Sequence, residues 1–426
     1  MTETTPIHDL HPAPFAGDAL IEVIRNGATR ILAAALEAEI EEHIDRFRGV
    51  VDEDGRRRVV RNGYLPARKI QTGAGSLPVQ QPRARVLGQK EDEGHLEFRS
   101  ELIPPYLRRA KDVEELIPWL YLRGVSTNDM ESVLSSLLGT RATGLSPTSI
   151  VRCKKVWEQE FKDWEKRSLL GKRYVYVWAD GVYFNVRLTG ERACVLVLIG
   201  ATEDGTKELL AVHDGMRESE QSWLEVIERL KAQGLEEPPM LAIGDGALGF
   251  WKAVSKAWPQ AKHQRCWTHK TANVLNHLPK TTHAAAKTLL HGIWMGEGRE
   301  LASKAMAQFV KTYEAKYPKA ATCLVKDKEE LLAFYDFPAE HWRHLRTSNP
   351  IEWTFATVRQ RTSTTKGCGS RAAMLAMVLK LALSAEARWR KLNESEQLGA
   401  LIEGVPFIDG IRPNNPTDPE GADAAA

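Results

Sequence analysis

With 426 residues, 43% hydrophobic and 27% charged, the chain is long enough for two or three domains with a sizeable core. No apolar run approaches the ~18 residues a membrane helix needs, and the opening MTETTPIHDLHPAPFAGD lacks the basic stretch and apolar core of a secretion signal. Five scattered cysteines (Cys153, Cys194, Cys266, Cys323, Cys368) make no disulfide framework, so a reducing cytoplasmic setting is expected.

The net charge of +2 hides an uneven distribution. Residues 1–17 are Pro-rich and aperiodic, which predicts disorder. From 18 to 47, Ala, Leu, Ile and Glu recur at helical spacing and predict one or two helices. Between Arg46 and Lys90 eleven Lys and Arg stand against three acids, a local balance of +8. Such a cluster is the footprint of a phosphate binder, and Arg56, Arg57, Arg58 and Arg61 are its candidate DNA contacts. The plainer alternative is a solvated basic surface. The stretch 48–90 is rich in Gly, Pro and Arg, and predicts irregular strands or an arm that orders on a partner. Residues 18–95 thus form a helical and basic region.

The next region, 96–170, has the layout of a helix-turn-helix. DVEELIPWLYLRGVSTNDMESVLSSLLG predicts a helix, a turn at Gly124, a cap at Ser126 or Thr127, and a second helix. In GLSPTSIVRCKKVWEQEFKDWEKR, Ser146 and Pro147 supply a cap and an N1 proline. Arg152, Lys154 and Lys155 make the helix that follows a candidate recognition helix, against the alternative of a structural helical hairpin.

From 171 to 275 the pattern becomes mixed α/β. Three strands, at 174–187, 192–202 and 207–214, have short Gly-bearing connections and predict an antiparallel meander. SEQSWLEVIERLKAQG predicts a helix opened by Ser219 and closed by Gly234. PMLAIGDG predicts a buried strand, and ALGFWKAVSKAWP another helix. Residues 276–345 read as wholly helical, 346–395 carry a helix beginning near 350 and an amphipathic helix over 371–391, and 396–426 form a tail.

Three acids interrupt this pattern. Asp180 sits in the middle of YVYVWADGVYFNVR, where Asp-Gly reads first as a type I′ hairpin turn. Asp245 ends the apolar run MLAIGD, where a helix cap is the plainer reading. Glu352 falls at the capping-box position if Asn349 is the N-cap and Pro350 the first helical residue. Together, two strand-borne Asp and one helix-borne Glu can converge at one edge of a mixed sheet. Three carboxylates held close require a cation between them. Oxygen ligands suit Mg²⁺ or Mn²⁺, and two such ions about 4 Å apart clamp the attacking and leaving oxygens of a phosphoryl displacement. Arg359 lies two turns beyond Glu352 and is placed to hold a DNA phosphate, with Arg361, Lys366 and Arg371 adding positive charge nearby.

WADGVYFNVR, LAIGDGALGFWKAV, QRCWTHKTANVLNHLPK, KELLAFYDFPAEHWRHLRTSNPIE and TFATVRQRTSTTKGCGSR resemble the bacterial Mutator-type insertion-sequence transposases, over about residues 100–410. The resemblance implies a DDE transposase with a ribonuclease-H-like mixed sheet and an all-helical insertion, preceded by a mostly helical N-terminal DNA-binding region. It implies Asp180, Asp245 and Glu352 as the metal-binding acids, with two Mg²⁺ or Mn²⁺ ions per site. Cys266 and His269 match the family's Cys-x-x-His motif; they are expected to support the site or to contact a DNA end, with Asn349, Arg359 and Arg361. With no second Cys/His pair at finger or ribbon spacing, zinc at His263, Cys266 and His269 is a weak reading. Trp353 departs from the small polar residue the family usually carries after NPIE. The partners implied are double-stranded DNA, as terminal inverted repeats and target, and further copies of the chain, at least a dimer on DNA. A nucleoid-associated, membrane-free protein is expected. The alternatives are an inactive or domesticated DNA-binding descendant, another two-metal nuclease on the same sheet and, more distantly, a zinc-dependent hydrolase.

Overall fold

Residues 19–46 form a single helix, α1 (Ala19–Arg46), whose Leu36 and Ile40 are fully buried. The computed structural model describes residues 19–73, 75–88, 94–126, 129–138, 147–186, 190, 192–215, 217–364, 368 and 370–413. The residues 1–17 expected to be disordered, the alternative cap Thr127, Ser146 and Lys366 lie outside them. The chain divides into two compact units, Met1–Cys153 and Lys154–Ala426.

In the first unit the stretch expected to be either strands or a partner-ordered arm is strands. β1 (Val59–Tyr64) pairs antiparallel with β4 (Pro82–Val86), and β2 (Arg68–Thr72) with β3 (Gly75–Val79). The stretch up to Val86 is therefore one helix plus two small sheets, within an N-terminal half that is mostly helical, as expected. The cause is apolar burial: Ile70, Val79 and Ile103 pack with Leu36 of α1. Farther on, α2 (Lys111–Leu122) and α3 (Met130–Leu138) are joined by a turn in which Gly124 takes φ +111°. Val113 and Ile117 of α2 meet Met130 and Leu134 of α3. Ser126 Oγ accepts the Asp129 N–H at 3.1 Å, as the expected cap does. Pro147 opens α4 (Pro147–Trp164), which begins in the first unit and ends in the second.

The second unit is built on one mixed sheet. β5 (Tyr174–Asn185), β6 (Arg192–Thr202) and β7 (Lys207–Gly215) form the antiparallel meander. α5 (Glu220–Ala232) follows, with Ser219 as N-cap accepting the Ser222 N–H and Gly234 at φ +103° beyond its end. Then come β8 (Leu241–Gly244), α6 (Leu248–Ala257) and β9 (Lys262–Arg265). The strand order is β7-β6-β5-β8-β9, with β8 parallel to β5 and β9 parallel to β8. β9 has no signal in the sequence: KHQR lacks apolar alternation, and it becomes a strand through pairing with the fully buried β8. Trp223, Ile227, Phe250 and Val254 of α5 and α6 cover Val177 and Ala179 of β5 on one face.

The stretch after β9 is helical as expected: α7 (Trp267–Leu275), α8 (His283–Trp294), α9 (Arg299–Tyr313), α10 (Pro318–Val325), α11 (Lys328–Leu332) and α12 (Trp342–Leu345). α13 (Asn349–Thr364) packs against β5 and β6. α14 (Arg371–Glu386) packs against α13 and β7, and α15 (Gln397–Ile402) follows. The last long helix is five residues shorter than expected and not amphipathic, because Met374, Ala376, Met377, Val378, Leu379 and Leu381 bury it nearly all round. Among the described residues no helix is long and apolar enough to cross a membrane.

Candidate active site

Asp180 lies within β5, not at a turn. It pairs with Val197 of β6, and neither it nor Gly181 has the positive φ that a type I′ hairpin needs. The turn expectation fails because the register continues unbroken from Tyr176 to Asn185 against β6, which outweighs the local Asp-Gly preference. The carboxylate is buried, 6% exposed.

The parallel register then places the second acid. Trp178 of β5 pairs with Ile243 of β8, and Asp180 and Asp245 each stand two residues beyond that pair. Neighbouring strands are about 4.8 Å apart, so the two acids leave adjacent strands at the same level. Asp245 does not cap α6 from the N-cap position, which Ala247 holds; its Oδ1 accepts the Ala247 N–H at 2.8 Å. Gly246 turns the chain at φ +105°, and a Cβ there would overlap the Arg265 guanidinium.

Glu352 sits in the first turn of α13, and its side chain is outside the described residues. The helix starts at Asn349, so Ser348 rather than Asn349 precedes it. Its phase is fixed by Phe355, whose ring meets Phe184 of β5 at 6.4 Å. Phe184 is four residues beyond Asp180 and hence on the same face of the strand. Upstream, the Tyr176 hydroxyl bonds His341 Nδ1 at 2.9 Å, and Trp178 Nε1 donates to the His344 carbonyl at 2.9 Å. The face of β5 that carries Asp180 is thus also the face that seats the segment leading into α13.

Cys266 and His269 stand at this junction. The Cys266 sulfur, fully buried, accepts hydrogen bonds from the Ser348 N–H and hydroxyl, both at 3.3 Å. The Ser348 hydroxyl lies 3.5 Å from His269 Nδ1. Burial acts to raise the thiol, but the hydrogen bond and charge of His269 outweigh it and hold Cys266 below its usual value. The Cys266 hydrogen bond in turn lifts His269 to about 9, against burial and aided by Asp180 and Asp245. His263 packs instead against the Trp251 ring at 4.8 Å.

Glu218, between β7 and α5, is a residue that sequence reasoning missed. Burial first, then the charges of Asp245 and Asp180, push its carboxyl up to about 7. The signal in the sequence is faint: a glycine directly after Asp180, and another four residues after Asp245. Among the described residues, which exclude the Glu352 side chain, no three His, Cys, Asp or Glu side chains are arranged to hold a metal ion. What fits a divalent cation is the chemistry of the set: hard carboxylate oxygens leaving two adjacent strands at the same level.

The family model for the Mutator transposases matches residues 9–392. The chain belongs to the Mutator family of transposases. It is 51% identical over 304 residues to the transposase for insertion sequence element IST2 of Acidithiobacillus ferrooxidans, covering 70% of this chain and all of that one. It is 47% identical over 306 residues to the transposase for IS6120 of Mycolicibacterium smegmatis, covering 72% and 94%. A more distant relative, the transposase for ISRM5 of Rhizobium meliloti, is 28% identical over 390 residues, covering 91% and 92%.

In this Mutator-family chain the candidate DNA contacts differ in what already holds them. Arg56 and Arg57 are exposed. Arg58 donates to the Leu87 and Gly88 carbonyls at 3.0 and 2.7 Å, and Arg61 is paired with Glu37 and Tyr64. On α4, Arg152 and Lys155 are exposed and Lys154 is half-buried, while Trp157 and Phe161 face inward. On α13, Arg359 is exposed, whereas Arg361 is buried at 4% exposure. Arg371 is ion-paired with Asp214 at 3.1 Å.

Proposed function

We propose that this chain is an active DDE transposase with a ribonuclease-H-like core, which binds the inverted repeats of its element and carries out metal-dependent strand cleavage and transfer. The observation that carries the reading is the parallel register that sets Asp180 and Asp245 level on adjacent strands. Asp180 would serve both Mg²⁺ or Mn²⁺ ions, with Asp245 and Glu352 holding one each. Bound there, the ions supply Lewis-acid activation of water and stabilise the leaving oxygen. The acids fix where the scissile phosphodiester sits, and Cys266, His269 and Ser348 hold the start of the helix that bears Glu352. Arg359 is the exposed cation on that helix and would steady a DNA phosphate. Hydrolysis frees a 3′-OH, and that hydroxyl would then attack a phosphodiester of the target, forming a new P–O bond as the target strand's own 3′-oxygen leaves. The basic face around Arg56 and Arg57, with Arg152, Lys154 and Lys155 of α4, would engage the inverted repeats. Joining two ends calls for at least a dimer on DNA.

The test is cleavage and joining of a labelled duplex carrying the element's end, with Mg²⁺ or Mn²⁺ and with EDTA, for wild type and Glu352→Gln. Metal-dependent 3′-end products are expected, with a loss in Glu352→Gln beyond the roughly 10–100-fold that outer-shell partners cost, at unchanged DNA affinity. Binding without cleavage by the wild type would replace this reading with that of a DNA-binding descendant.

A further inference from the structure

β9 carries no strand signal of its own, and the helical insertion grips it from the side away from β8. Gln264, fully buried, donates from Nε2 to the Leu331 carbonyl at 3.2 Å and accepts the Phe334 N–H at 2.8 Å. Trp267, just beyond β9, donates its indole N–H to the same Leu331 carbonyl at 2.9 Å. Leu331 and Phe334 belong to the insertion, so β9 is held between that insertion and β8.

β9 ends in Arg265, which pairs with Gly244 of β8. The Arg265 guanidinium takes the place that a Cβ of Gly246 would fill, and so lies on the backbone directly after Asp245. Gly246 bends there at φ +105°, which side chains rarely adopt, and Asp245 Oδ1 accepts the Ala247 N–H at 2.8 Å. The turn that aims Asp245 is thus tied by its own carboxylate and packed under Arg265.

Arg265 is fixed in turn by Asp327, which lies between α10 and α11 of the insertion and also takes the Nζ of the fully buried Lys270. Asp327 precedes α11 but makes no side-chain cap to it, so its carboxylate serves these two cations. Neutralising charge alone does not call for a planar guanidinium spread over a glycine backbone, since a compact ammonium would do.

We propose that Asp327 and Arg265 are positioning residues for Asp245. Through Asp327 the insertion sets Arg265 over Gly246, and Arg265 fixes the direction in which the second acid leaves β8. The proposal rests on the DDE reading above and gives the helical insertion a part in it.

The experiment is Mn²⁺ titration of the full chain by calorimetry, alongside melting temperature, DNA affinity and single-turnover cleavage at rising Mn²⁺. Asp327→Asn keeps the shape and removes the charge. Arg265→Lys keeps a charge beside Asp327 and removes the flat group over Gly246. Both are expected to weaken Mn²⁺ binding about 10-fold, as losing a partner of a metal ligand does, and to regain part of the cleavage rate at high Mn²⁺, with DNA affinity held. Asp327→Asn leaves Lys270 buried without its acid and should also melt lower, so Arg265→Lys decides if that variant does not fold. Wild-type Mn²⁺ affinity in Arg265→Lys, or a loss of rate that no Mn²⁺ concentration recovers, would overturn the positioning role where Asp180→Asn abolishes Mn²⁺ binding. Unchanged affinity in Asp180→Asn as well would overturn the DDE reading and this proposal with it.

Discussion

The Cys266 sulfur takes both the N–H and the hydroxyl of Ser348 in a fully buried position. Removing a buried acceptor leaves its donors unsatisfied at about 1–3 kcal/mol, more than the net worth of the bond itself. Here the loss falls at the residue before the helix that carries Glu352, so it should reach the chemistry. Cys266→Ala is expected to lower the melting temperature modestly and the cleavage rate more than tenfold, at unchanged DNA affinity. Cys266→Ser, which restores an acceptor, should recover part of the rate. Equal rates in the two variants, read in single-turnover cleavage, would remove the positioning role. Asp180 teaches the same lesson from the other side: a dipeptide that favours a turn stays extended when both neighbouring strands pair with its own.

Among elements, the contact between β5 and the segment around α12 contributes to the acid response. His341 is fully buried on the Tyr176 hydroxyl, and His344 sits beside Trp178. Burial, with the charges of Lys207, Arg343 and His341, presses His344 down to about 3 from its usual 6.5. Burial likewise lowers His341. The folded state thus requires the neutral ring. Above pH ~6.5 both folded and unfolded chains carry neutral imidazole and the stability is complete. As pH falls from there toward 3, the unfolded chain takes up a proton that the folded one refuses, and stability is lost. Melting temperatures should therefore drop between pH 6.5 and 5, and His344→Gln should flatten that drop. An identical slope in the variant would show that His344 is not the group responsible. The helices between β9 and α13 are tied back by comparable burial: Asp327 binds both Arg265 and the buried Lys270 of α7.

At the scale of the whole molecule, the exposed basic arm belongs to one compact unit and the carboxylate site to the other. Binding and chemistry should accordingly separate by mutation. Arg56→Ala with Arg57→Ala is expected to weaken DNA binding on any sequence and to reduce the slope of log K against log salt by about 1 for each phosphate left without its arginine. Arg61→Ala should do less, since Glu37 and Tyr64 already hold that guanidinium. Fluorescence anisotropy at several salt concentrations checks this, and equal effects from the three arginines would contradict it.

Period and punctuation were enough to read the meander, the helices after it and the two strand-borne acids from the sequence. Alternation over 174–215 and a Ser cap before α5 are local signals, each carried by a few adjacent residues. β9, the burial of α14 on nearly every side and the strands of the basic arm were decided by tertiary structure, because each depends on a partner distant in the chain. The site divides the same way. Which residues are acids is local information. That Asp180 and Asp245 stand level follows only from the β5–β8 register. That the loop after β7 lies against Gly181 and Gly249 follows only from the missing Cβ at each, a contact no spacing in the sequence encodes.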